Sequence, residues 1–188
     1  QYMYIDGKEV PINNIPLYDY LNASDKLTNW ELTSTDTTSL ANNTIFRFNL
    51  TSLQWLTPEL VSPSIWTHDL IIIKPNTLTR TNFCFLFITS CVSGDISCEN
   101  GQIAYLDQII SSLGGYIAIL PQIPNQPANF SQDPLTKLEE DSLSAWTWNH
   151  FLTTDNMTHP DYLLYLPMAK AAKIALDSIE NISQFYYK

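Results

Sequence analysis

Glycine is scarce in this chain, five in 188 residues, and where it gathers, at Ser93-Gly94 and Gly114-Gly115, it lacks the spacing of G-x-S-x-G. That turn is what lifts a nucleophilic serine out of a strand-to-helix junction. A serine-hydrolase centre therefore cannot be completed within these residues. Positive charge is scarce as well: nine Lys and Arg face nineteen Asp and Glu, for a formal net charge of −10. Phosphate backbones and anionic lipid heads repel such a chain, which removes nucleic acid from the expected partners. No stretch of about 18 uninterrupted apolar residues occurs, so no membrane insertion is expected. The opening QYMYIDGKEV has neither the basic flank nor the apolar stretch of a signal peptide, and a start at Gln1 fits a processed mature end. With three cysteines and three histidines, none at metal-ligand spacing, no zinc site and no cofactor is expected.

What the chain has in quantity is neutral polarity: 34 Ser and Thr and 15 Asn. Six N-x-S/T triplets result, at Asn22, Asn42, Asn49, Asn129, Asn156 and Asn181, none with Pro in the middle. Roughly three would arise by chance from this composition, so the excess points to N-linked glycans and a secreted or extracellular-surface protein. Asn49 is the least favourably placed, because it falls within or just after a strand pattern. Cys91 and Cys98 bracket a polar loop that a disulfide would close in an oxidising compartment, whereas Cys84, in FCFLFI, reads as a buried free thiol.

The pattern along the chain is that of an α/β protein, with antiparallel early strands followed by parallel strands and flanking helices. Residues 1–43 read as an irregular wrap, and residues 44–188 as sheet and helices. Residues 44–52 alternate as a half-exposed strand, and residues 65–75 begin alternating and end as a buried run. Residues 82–90 read as a fully buried strand. From 99 to 113 apolar residues fall at helical spacing, Gly114-Gly115 stop the helix, and YIAIL at 116–120 is the next buried strand. Strand, helix and strand then form a parallel βαβ unit. Two further helices are expected, one around SLSAWTWNHFL and one from about Pro167.

The polar candidates for chemistry have plainer readings. Alternation turns His68 and Asp69 to opposite sides of their strand, His150 suits helix packing, and His159 precedes Pro160 in a turn. Glu139, Glu140 and Asp141 suit the positive end of a helix, and adjacent carboxylates on a helix diverge too far for a glycosidase pair. Trp146 and Trp148, two apart on a helix, cannot form one stacking platform, and at least one belongs in the core.

Several pieces, in order, resemble the secreted PhoPQ-activated pathogenicity-related family: IPLYDYLN at 15–22, NLTSLQWLTPELV at 49–61, SIWTHDL after it, FLFITS at 85–90, LPQIPNQPANF at 120–130, SLSAWTWNHFL at 142–152 and YLPMAKAAKIALDSI at 165–179. The loop Pro124-Asn125-Gln126-Pro127 is the most specific of them. The resemblance implies a three-layer α/β-hydrolase-like fold of which these residues are the N-terminal half. In such a fold the loop Ser90-Cys91-Val92-Ser93-Gly94 stands where an oxyanion-hole donor is supplied, and Cys91 replaces a small residue there. Two functions follow as expectations. One is a secreted glycoprotein acting as an extracellular signal or as a subunit of a surface or fibrous assembly. The other is the N-terminal half of a secreted serine hydrolase with its catalytic residues beyond Lys188. In both, the open sheet edge would be covered by the remaining half of the same protein or by another subunit, up to a homo-oligomer or filament.

Overall fold

A computed structural model describes residues 2–5, 8–11, 16–37, 43–92, 95–153 and 159–186, with side chains from residue 17 to 183 within those ranges. Its centre is a five-stranded sheet in the order β3 (Asn29–Thr37), β4 (Thr44–Gln54), β6 (Ile65–Lys74), β8 (Tyr116–Leu120) and β7 (Cys84–Ile88). The pairs β3–β4, β4–β6 and β6–β8 are antiparallel, and β7–β8 is parallel. The chain is thus an α/β protein with antiparallel early strands and a parallel pair closed by a helical crossover. A second, three-stranded sheet joins β5 (Val61–Ser62), β9 (Ala128–Phe130) and β10 (Asp133–Leu138). The hairpin β1 (Tyr2–Ile5) and β2 (Lys8–Pro11) stands apart from both sheets.

Strand alternation divides the core into two layers. Leu70 and Ile72 of β6 join Ala118 and Leu120 of β8 and Ile174, Ala175 and Ile179 of the last helix, α4 (Tyr165–Tyr186). Ile71 and Ile73 turn the other way, with Ile117 and Ile119, against Ile103, Leu106 and Ile110 of α2 (Ile96–Leu113). The side chains at 70–73 and 116–120 are therefore buried on both faces, which explains their continuous apolar runs. The short α1 (Pro16–Asn22) packs on α4, and Leu143 anchors α3 (Glu140–Thr153) in the same layer.

The crossover is built from local signals. Asp95 caps α2 by accepting from the backbone N–H of Cys98 at 3.0 Å. Gly114 ends it at φ 66, in the left-handed region, with its N–H donating to the Ile110 carbonyl. At Gly115 a side chain would bring a carbon within 2.8 Å of the Phe83 carbonyl oxygen, so only glycine lets β8 start so close beside β7.

Two expectations need correction. The N-terminal segment is not an irregular wrap, because Asn29–Thr37 pairs with β4 over its length. As an edge strand it buries little, with only Trp30 and Leu32 turned inward, so its alternation is faint. Nor is β7 fully buried: Phe85 is 41% exposed and Ile88 44%, because among the described residues β7 ends the sheet with a neighbour on one side alone.

Candidate functional site

The carboxyl ends of the parallel pair carry the densest set of polar side chains. The loop after β8 starts at Pro121, and residues 121–126 are all buried. β8 accompanies β6 only as far as Ile71, which leaves the backbone groups of Thr67 and Asp69 on that edge without a strand. Side-chain amides take their place. Asn125 accepts from the Thr67 N–H at 3.2 Å and donates to the Thr67 carbonyl at 2.8 Å. Gln122 accepts from the Asp69 N–H at 2.9 Å. Gln126 ties the neighbouring loops together, donating to the Ser90 carbonyl at 2.8 Å and accepting from the Glu140 N–H at 2.7 Å. The peptide bonds before Pro124 and Pro127 are cis. Buried backbone groups require partners, and this loop supplies them with side chains.

Beside this loop lies a pair of carboxylates. The Gln122 amide nitrogen donates to Asp69 Oδ2 and to Glu99 Oε1, each at 3.1 Å. Arg47 reaches Glu99 Oε2 at 3.5 Å. Burial pushes the Glu99 carboxyl up from its ordinary value, the Asp69 charge adds to the rise, and Arg47 opposes it. Glu99 stands in the first turn of α2, one residue after Cys98, which is joined to Cys91 by a disulfide with Cα atoms 6.0 Å apart. Gln102 donates to Thr89 Oγ1 at 2.6 Å and to the Cys91 sulfur at 3.2 Å, so the loop after β7 is pinned to α2 twice over. Ser93 and Gly94 lie outside the described residues. Among the described residues no three His, Cys, Asp or Glu side chains converge as a metal site.

His68 is placed as alternation requires, inward and away from Asp69, and its partner is one that spacing did not suggest. The β4–β6 register skips at Ser52, between Thr51–Thr67 and Leu53–Trp66. This bulge turns Ser52 inward beside Leu53. The Ser52 hydroxyl lies 2.8 Å from His68 Nε2, and His68 Nδ1 lies 3.1 Å from the Pro121 carbonyl. A carbonyl only accepts, so Nδ1 carries the proton and Ser52 donates to Nε2. Both residues are buried, Ser52 at 0% and His68 at 2% exposure, and burial lowers the imidazole pKa to about 4. The pair resembles half a catalytic triad, but a backbone carbonyl stands in the acid's place and no solvent reaches it.

The remaining candidates are placed as follows. Trp146 stacks between Phe130 at 3.6 Å and His150 at 5.0 Å, and His150 continues to Tyr162 at 4.4 Å, while Trp148 is 41% exposed. Glu140 and Asp141 occupy the first turn of α3, and Ser90 donates to Glu140 Oε1 at 2.8 Å. Cys84 is a free, half-buried thiol whose pKa burial pushes up to about 11. Of the triplet asparagines, Asn22, Asn49 and Asn181 are exposed. Asn129 is half-buried, with its amide donating to the carbonyls of Pro134 and Thr136. Asn42 and Asn156 lie outside the described residues.

Comparison with known proteins adds the following. The model of the PhoPQ-activated pathogenicity-related protein family matches residues 17–188. The autocrine proliferation repressor protein A of Dictyostelium discoideum is 30% identical over 173 residues, which are 92% of this chain and 34% of that protein. The chain thus spans about a third of the length of the curated relative it matches. Among solved structures, a glucuronoyl esterase from Solibacter usitatus aligns at TM-score 0.41 and 13% identity, over 80% of this chain and 50% of its own. A CE15 glucuronoyl esterase from Teredinibacter turnerae aligns at TM-score 0.32 and 12% identity, over 73% and 37%.

Proposed function

Since the chain belongs to the PhoPQ-activated pathogenicity-related family, we propose that it is part of a secreted, N-glycosylated, α/β-hydrolase-like protein that acts as an extracellular signal or as a subunit of a surface or fibrous assembly, without catalysis by these residues. One observation carries this reading: the carboxyl end of the parallel pair is occupied by its own scaffold. Gln122, Asn125 and Gln126 spend their amides on backbone groups and, for the Gln122 nitrogen, on the Asp69 and Glu99 carboxylates; the Cys91–Cys98 bridge holds the loop after β7, and the Ser52–His68 pair is sealed in the core. A site for chemistry needs polar groups that face a substrate instead. The signalling role is supported by the name of the Dictyostelium relative. Glycosylation is supported by the exposure of Asn22, Asn49 and Asn181, and secretion by the disulfide. Intact-mass measurement before and after enzymatic glycan removal should show added mass mapping to those three asparagines. A bare polypeptide mass would sink the glycoprotein reading.

The partner proposed for the sheet is the rest of the same protein. β7 ends the sheet with apolar side chains on both of its faces: Phe87 packs toward α2, and Leu86 toward α4. Another strand with helices of its own would continue both layers. A second reading, the first half of a secreted serine hydrolase, is favoured by the position of the loop from Ser90 at the carboxyl end of β7. Sequencing the encoding transcript past Lys188 separates the two. A serine elbow followed by an acid and a histidine supports the hydrolase, and a continuation without that serine leaves the non-catalytic reading.

A further inference from the structure

On the α4 side of the sheet, at the β3 edge opposite β7, a cleft of about 410 Å³ opens between the end of α1, the start of β3 and α4. At its wall is a lysine whose surroundings do not satisfy it. The Lys170 side chain is 9% exposed, and its ammonium is 4.0 Å from Asp25 Oδ2, beyond hydrogen-bond reach. Asp25 is already engaged, with Oδ1 accepting from the Leu27 N–H at 3.0 Å and Oδ2 from the Gln54 N–H at 3.2 Å. The Tyr20 ring, 5.3 Å from the ammonium, offers only a cation–π contact. Lys173, by contrast, has its own carboxylate, Asp177, at 2.7 Å. Among the described residues, then, this largely buried side chain brings its ammonium to the cleft with a long ion pair to Asp25 but no acceptor within hydrogen-bond distance, in a chain with only nine Lys and Arg.

Asp25, Lys173 and Asp177 also line the cleft, and its remaining polar side chains are neutral and bifunctional. Asn22, Asn29 and Asn181 each bring an amide that both donates and accepts, Ser24 and Ser178 bring hydroxyls, and Trp30 supplies an apolar wall. Amides and hydroxyls that donate and accept at once match a ring of hydroxyl groups, and a half-buried indole matches the apolar face of such a ring. The ammonium asks for an anion, and a carboxylate would take its N–H groups as charge-assisted hydrogen bonds. We infer that the α1–α4 cleft binds a small polyhydroxylated ligand carrying one carboxylate, an acidic sugar, with Lys170 holding the carboxylate.

The test titrates the full chain with galacturonate, galactose and acetate by calorimetry, and maps the shifts of the Trp30 indole and the Asn29 and Asn181 side-chain amides by NMR. Galacturonate is expected to bind, to move those three signals, and to bind at least tenfold more tightly than either galactose or acetate. Lys170→Met should weaken galacturonate roughly tenfold or more, with partial retention in Lys170→Arg, as for loss of a charged hydrogen bond. Equal affinity for galacturonate and galactose, or shifts confined to other residues, would overturn the inference without any variant. Unchanged affinity in a folded Lys170→Met protein would overturn it as well. Because Asn22 and Asn181 are sequon asparagines at this cleft, the titration is repeated after glycan removal. Binding seen only then would identify the chain's own glycan as the occupant and overturn a free ligand.

Discussion

Lowering the pH from 7 to 4 should weaken the fold through His68. The imidazole is buried, neutral and held between the Ser52 hydroxyl and the Pro121 carbonyl, and its pKa is lowered from 6.5 to about 4. The unfolded chain therefore takes up a proton near pH 6.5 that the folded chain refuses until about pH 4. Stability from this group is fully present above 6.5 and is lost as pH falls through the window to 4. A shift of that size corresponds to about 3 kcal/mol, a large part of a typical domain's total of about 5–15 kcal/mol. Glu99 works in the opposite sense. Its raised carboxyl pKa favours the protonated folded state, so its contribution is lost as pH rises through the window above 4.5. Urea midpoints should be measured at several pH values from 7 to 4 for the unmodified protein, Glu99→Gln and His68→Gln. In the Glu99→Gln background the acid-side loss should steepen. The stability difference between the unmodified protein and His68→Gln should shrink or reverse toward pH 4 by an amount on the order of 3 kcal/mol. A difference that stays flat across the range would refute a buried neutral imidazole.

Two more outcomes are expected. Gln126→Ala leaves the Ser90 carbonyl and the Glu140 N–H without their partner and should cost about 2–4 kcal/mol in urea denaturation, whereas Gln126→Glu should keep the acceptor for Glu140 and lose the donor to Ser90. Replacing both Cys91 and Cys98 by alanine opens a loop with a sequence separation of 7 and should lower stability by about 2 kcal/mol, read as a fall in thermal midpoint.

How much of this was legible in the sequence follows from where each element finds its partners. β6 and β8 announce themselves because their central apolar residues are buried on both faces, and α2 because its buried apolar residues recur at helical spacing and end at Gly114. β3 and β10 bury few side chains and β9 is only three residues long, so periodicity hardly marks them. β7 has the composition of a central strand but occupies the edge among the described residues, a fact set by topology rather than by its own five residues. The loop Pro124–Pro127 stands out as a pattern, yet nothing local says that its amides serve Thr67, 58 positions earlier. Ser52 carries no mark in the sequence for a similar reason: only a bulge in the β4–β6 register turns it toward His68.

The amide caps on β6 also govern alignment. Asn125 reads both the N–H and the carbonyl of Thr67, and Gln122 reads the N–H of Asp69 two residues on, so only one setting of β6 satisfies both side chains. A slip of one residue would turn those backbone groups toward β4 and strand two buried amides. The loop therefore acts as a gauge, closing well only over a sheet whose strands are already in correct register.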